Sequence, residues 1–225
     1  MSSDIGARLL AVRGRIALAC RRAGRPQDAV TLVAVCKGQP AQAIRDAFAA
    51  GPACFAENYA QELVRKAEAL SDLPLRWHFV GGLQKNKARK VVGLAALIQT
   101  VDSQALAGEI DRRAAAQGIV QDVLIEVNVA GEAQKSGVVP RDLPALLGAL
   151  AGLSHLRCQG LMAIPPGADH AEGSRPHFRA LYALCARHGL REISMGMSTD
   201  FEVAIEEGAT IVRVGTAIFG PRTSK

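Results

Sequence analysis

Aromatic residues are scarce in this chain of 225 residues, with one Trp, two Tyr and six Phe, or 4% in all. A surface that stacks nucleic-acid bases needs aromatics among its cations, and the densest basic stretch, Lys85, Lys87, Arg89 and Lys90, has none. The net charge of +6 thus reads as a solvated face, with a ligand phosphate as the lesser reading and no nucleic-acid partner expected. No apolar run is long enough to span a bilayer, so no membrane partner is expected. The five cysteines (Cys20, Cys36, Cys54, Cys158 and Cys185) contain no CxxC pair. Their odd number and spacing argue against a zinc site and a disulfide framework, and favour a reducing, cytoplasmic setting. A leading segment with Asp4, Arg8, Arg13 and Arg15 among apolar residues reads as an amphipathic helix and not as a signal peptide.

What is present is an alternation. The composition is 49% hydrophobic, rich in Ala, Val, Leu and Ile, and it suits layered α/β packing. Strands are expected at Leu32–Cys36, Ala53–Ala56, Leu75–Val80, Leu97–Val101, Val123–Val129, Leu156–Ala163, Glu192–Met195 and Thr210–Val214. Helices fall between them at Ala41–Ala50, Tyr59–Leu70, Lys85–Val92, Gln104–Gln117, Leu143–Leu150, Pro176–His188 and Phe201–Glu207. About eight strand–helix units in under 250 residues describe an α/β chain folded as one (β/α)8 TIM barrel. A doubly wound open sheet is the runner-up, but Lys37-Gly38-Gln39-Pro40 after the first strand is nothing like a GxGxxG turn. A single domain over residues 1–225 is expected, with a leading helix at 1–25 and a short C-terminal tail at 216–225.

Lys37 ends the first strand. A lone lysine there can simply snorkel into solvent, or its amine can form a Schiff base with a carbonyl compound. Alternation puts Val33, Val35 and Lys37 on one face, and Ile211, Arg213 and Gly215 on one face of the last strand. Barrel closure pairs the first and last strands, so Lys37 and Arg213 can be neighbours. Two cations held together ask for an anionic or neutral ligand between them. Ser194-Met195-Gly196-Met197-Ser198-Thr199-Asp200 and Val214-Gly215-Thr216 leave the seventh and eighth strands, the recurrent phosphate position of this architecture. Ser198, Thr199, Gly215 and Thr216 can offer backbone N–H groups and hydroxyls to an oxyanion. Ser198 can instead be a plain N-cap, and Thr216 can cap the turn that follows it. Pyridoxal 5′-phosphate (PLP) suits these parts, with its aldehyde at Lys37, its phosphate at the two turns and its ring nitrogen facing Arg213. A guanidinium at that nitrogen cannot accept a proton and makes the ring a poorer electron sink. Asn58 either bonds a ring substituent or caps the helix at Tyr59.

Several motifs occur in a recognisable order: Val35-Cys36-Lys37, Phe55-Ala56-Glu57-Asn58-Tyr59, His78-Phe79-Val80-Gly81, Leu83-Gln84-Lys85-Asn86-Lys87, Lys135-Ser136-Gly137, Gly160-Leu161-Met162-Ala163, Ser194-Met195-Gly196-Met197-Ser198 and Arg213-Val214-Gly215-Thr216-Ala217-Ile218-Phe219-Gly220. Over nearly its whole length the chain resembles the YggS/PROSC family, the pyridoxal phosphate homeostasis proteins. The resemblance implies a barrel like the N-terminal domain of alanine racemase, with a covalent PLP aldimine on Lys37 and Arg213 at the pyridine nitrogen. It further implies Ser198, Thr199, Gly215 and Thr216 around the phosphate, and no established catalysis. Ala56, Gly82 and Gln39 depart from the pattern, where Gly, Pro and a second lysine are usual. The last departure leaves Lys135 as the better candidate for a secondary lysine. His78 is equally a satisfied core residue or a cofactor contact.

The expected function is intracellular PLP buffering and delivery, with apo PLP-enzymes as possible recipients and a monomer as the working form. The alternative is a PLP-dependent racemase-like enzyme. Racemisation needs a second acid/base opposite the lysine. With Lys225 following soon after Gly220, no room is expected for the additional domain that supplies it in alanine racemases. Its only tyrosines are Tyr59 and Tyr182.

Overall fold

Short apolar strands separated by helices can pair only in parallel, because each connection returns the chain to the same end of the sheet. The computed structural model, which describes residues 2–51 and 54–221, shows that pairing carried to closure. Helix α1 (Ser2–Arg22) leads to β1 (Thr31–Val35), α2 (Ala41–Ala49), β2 (Cys54–Glu57), α3 (Ala60–Ala69) and β3 (Arg76–Phe79). Then come β4 (Leu97–Val101), α4 (Gln104–Ala115), β5 (Gln121–Glu126), α5 (Leu143–Ala151) and β6 (Leu156–Met162). The chain finishes with α6 (Arg175–Arg187), β7 (Glu192–Ser194), α7 (Phe201–Glu206), β8 (Ile211–Val214) and α8 (Thr216–Phe219). Strand β8 pairs with β1, placing Val33 opposite Arg213. That closure excludes the open sheet.

Two apolar layers follow from strand alternation. Val33, Cys54, Ala56, Val80, Leu97, Leu124, Met162 and Ile211 fill the barrel interior. The opposite faces, among them Ala34, Phe55, Ile98, Val123, Leu161 and Val212, pack outward beneath the helices. Helix α1 lies against α2, α7 and α8, and Arg15 and Arg22 bond Glu202 and Glu206 of α7.

Three expectations change. Lys85–Lys90, expected as the start of a helix to Val92, is a 3₁₀ turn in which Ala88 is the one buried residue. Strand β5 stops at Glu126 because Asn128 closes the next loop, donating from Nδ2 to the Glu132 carbonyl and accepting the Glu132 N–H at Oδ1. The segment read as a tail from residue 216 opens with helix α8, whose Ile218 and Phe219 are buried. The expected strand start at Ala53 lies outside the described residues.

Candidate functional site

In a barrel of this hand, groups at the carboxyl ends of the strands converge on one mouth. A cleft of about 280 Å³ opens there. Lys37, Asn58, Ser198, Thr199, Arg213, Gly215 and Thr216 all line it, contributed by the ends of β1, β2, β7 and β8. Val35, Val80 and Ile164 supply apolar walls, each two positions beyond or within an inward-facing register.

Lys37 sits one residue beyond Cys36 at the end of β1, half-buried, with Nζ 4.7 Å from the centre of the Tyr59 ring. The neighbouring Asn58 does not cap α3, whose N-cap is Tyr59 and receives no side-chain bond. Its Oδ1 is buried and has no hydrogen-bond partner among the described residues. Gly81 explains how closely the β3 loop approaches, since a Cβ there would lie 2.0 Å from the Asn58 carbonyl oxygen. No side chain fits between them.

Arg213 is buried, and its guanidinium is satisfied from below. Nη1 donates to Ser194 Oγ at 2.7 Å and Nη2 to the Ala163 carbonyl at 3.0 Å. Ser194 donates onward to Gln99 Oε1 at 2.6 Å, and Gln99 Nε2 lies 2.9 Å from His78 Nδ1. The direction of this chain makes His78 Nδ1 an acceptor and leaves the ring neutral. Burial, aided by Arg76, pushes His78 down to about 4. His78 does not line the cleft, so of its two readings the satisfied core residue prevails. Burial also pushes Arg213 down to about 10, opposed by Glu126 and Asp200, and it stays a cation at neutral pH.

The two loops meant for an anion are tied to each other. Ser198 does not cap α7, whose N-cap is Asp200, but its Oγ accepts the Ala217 N–H at 3.2 Å. Asp200 Oδ1 in turn accepts the Met197 N–H at 2.7 Å, and Ser174 donates to Asp200 Oδ2 at 3.0 Å. Thr216 opens α8 without capping it, since the N-cap is Gly215. Gly196 turns the loop at φ +89°, and a Cβ there would lie 2.9 Å from Phe201 Cα.

Sequence reasoning missed the supporting polar groups. Gln99 and Glu126 are buried two positions along their strands from the inward Leu97 and Leu124, and Ser194 is buried directly opposite the inward Met162. Polar residues at inward parity were the available signal. Burial and Asp102 push Glu126 up to about 7, with Arg213 opposing. Lys135 lies apart from the cleft lining, bonded from Nζ to the Pro165 carbonyl at 3.0 Å and paired with Glu132.

The family model "Alanine racemase, N-terminal domain" matches residues 8–223. A pyridoxal phosphate homeostasis protein of Aquifex aeolicus is 48% identical over 96% of this chain and 97% of its own length. The chain belongs to the pyridoxal phosphate homeostasis protein family. Another family member, from Pseudomonas aeruginosa, is 45% identical over 98% of this chain and 96% of its own. The structure of PipY from Synechococcus elongatus with PLP bound superimposes with a TM-score of 0.84 at 39% identity, covering 96% of this chain and 100% of PipY. An alanine racemase of Clostridium difficile has a TM-score of 0.74 at 12% identity, over 99% of this chain and 58% of the racemase, and shares the fold. No helix among the described residues is long and apolar enough to cross a membrane.

Proposed function

We propose that this chain binds PLP as a Schiff base on Lys37 and serves intracellular PLP homeostasis, buffering the cofactor and delivering it to apo-enzymes. One observation carries the reading: a single cleft gathers an amine, a buried guanidinium and two hydroxyl-bearing loops. The residues fit the cofactor chemically. The unpartnered Asn58 Oδ1 supplies a polar contact that awaits a ligand group. Gly215 leaves open the space that a side chain would fill, its notional Cβ lying 3.3 Å from the Val35 carbonyl oxygen. When bound, PLP supplies an aldehyde for reversible condensation with an amine and a ring that withdraws electrons.

The protein's own groups divide the work. Lys37 holds the aldehyde carbon, Arg213 faces the ring nitrogen, and Ser198, Thr199, Gly215 and Thr216 bind the phosphate. A carrier with no strong catalysis suits the surroundings better than a racemase. Of the two tyrosines, Tyr59 rests against Lys37 itself, and Tyr182 lies half-exposed on the outer helix α6 beside Gly208. Neither stands across the cleft from the lysine as an independent acid/base. A monomer working in the cytoplasm is the form proposed for such a carrier.

The test is an absorption spectrum of the purified protein, borohydride trapping, and transfer of cofactor to an apo-enzyme with a colorimetric product. Lys37→Ala should abolish the trapped adduct, and added amino acids should give no racemisation above background. An adduct that survives in Lys37→Ala rules out the assignment of Lys37. Turnover lost in Tyr59→Phe selects the racemase-like alternative.

A further inference from the structure

Behind Lys37 lies a buried charge cluster that plays no part in the cleft lining. The Lys66 ammonium of α3 donates to Glu57 Oε1 at 2.5 Å, to Glu62 Oε2 at 3.0 Å and to the Cys36 carbonyl at 2.8 Å. The same Glu62 Oε2 accepts the Gly38 N–H at 3.0 Å. Cys36 and Gly38 are the residues on either side of Lys37. The cluster therefore grips both peptide groups that flank the lysine, one through its carbonyl and the other through its N–H.

We infer that Lys66, Glu57 and Glu62 form a clamp that positions Lys37 for its covalent role. This rests on the assignment of Lys37 made above. Stability alone does not account for the cluster. A buried ion pair is roughly neutral against an apolar pair of the same shape, and Glu57, at zero exposure, leaves Oε2 without a hydrogen-bond partner among the described residues. A clamp does account for it. The turn after β1 has Gly38 at φ +72°, a conformation open to many alternatives unless its N–H is held. Glu62 and Lys66 stand four apart on α3, so one helix face presents the acceptor and the donor together. Burial opposes ionisation of Glu62, yet the Gly38 N–H and the Lys66 ammonium hold its carboxyl below the usual carboxylate range, so the acceptor is charged.

Glu62 is the residue to change, because it is partly exposed and its loss leaves Lys66 paired with Glu57. With PLP as the probe, Glu62→Ala should slow formation of the borohydride-trappable adduct about tenfold, the effect of one charge-assisted hydrogen bond. Glu62→Gln keeps an acceptor and should recover most of the rate. Both variants should melt close to the parent. A readout independent of the cofactor is amide hydrogen exchange at Gly38, which should lose protection in Glu62→Ala and keep it in Glu62→Gln. Parent-like protection in Glu62→Ala, or a parent-like rate beside lost protection, overturns the clamp. If the parent itself forms no adduct on Lys37, the cofactor assignment fails, and a Gly38 amide left protected without Glu62 then overturns the clamp separately.

Discussion

Arg213 Nη1 donates to Ser194 Oγ at 2.7 Å across the seam between β8 and β7. Ser194 spends its own proton on Gln99, so the hydroxyl is committed in one direction. The guanidinium is thus held by groups beneath the cleft, before any ligand arrives, and it is presented upward in a fixed plane.

Ser194→Ala leaves a buried guanidinium N–H and the Gln99 Oε1 without partners. The loss should be about 1–3 kcal/mol of unfolding free energy, read as a lower urea midpoint at unchanged slope. A midpoint equal to that of the parent would show that water or a side-chain shift replaces the hydroxyl at no cost.

His78 and Glu126 pull the pH dependence of stability in opposite directions. His78 is lowered from 6.5 to about 4, so the unfolded chain takes up its proton first as pH falls. Its contribution is complete above pH 6.5 and is lost on the way down to about 4. Glu126 is raised from 4.5 to about 7, so its contribution is complete below pH 4.5 and is lost as pH rises through about 7. The two slopes largely cancel where the windows overlap. Glu126→Gln should therefore gain on the parent progressively between pH 4.5 and 7, to a maximum of about 3 kcal/mol. His78→Gln should gain as pH falls through its own window. Denaturant midpoints measured across the range decide both, and a difference that does not vary with pH contradicts the burial argument.

Gly196→Ala forces a non-glycine residue to φ +89° and drives its Cβ toward Phe201 and Ala204. Loss of about 1–3 kcal/mol is expected, with weaker PLP retention because the loop carrying Ser198 and Thr199 shifts. Thermal melting and equilibrium dialysis measure the two effects. Normal values for both would mean that the loop repacks freely.

Ser198→Ala removes the acceptor of the Ala217 N–H, which joins the β7 and β8 loops. PLP affinity should fall about tenfold while the melting temperature moves by no more than a few degrees. Equal affinity in dialysis would take Ser198 out of the anion-binding group.

Much of this site was legible before any coordinates. Parity along β1 and β8 put Lys37 and Arg213 on inward faces, and both line the cleft. The capping alternatives do not hold. Ser198 and Thr216 suit N-caps by residue type, yet Asp200 and Gly215 hold the cap positions, because the turn before each helix runs differently from the simplest reading. The Lys66 cluster was invisible, since an i,i+4 Glu–Lys pair on an amphipathic helix normally marks a solvated face. The packing of α3 against β2 and β3 buries it and brings Lys66 to Glu57 and to the Cys36 carbonyl.

The sequence by itself determined the number of strands, their parallel pairing and the side on which each residue falls. Those are consequences of backbone period, which is local and repeats every two or 3.6 residues. Tertiary structure decided what each inward group bonds to: Arg213 to Ser194 and Ala163, and Lys66 to the carbonyl beside Lys37. Such partnerships depend on interstrand register and on how the closed sheet stacks its layers, and these join residues whose separation along the chain carries no periodic signal.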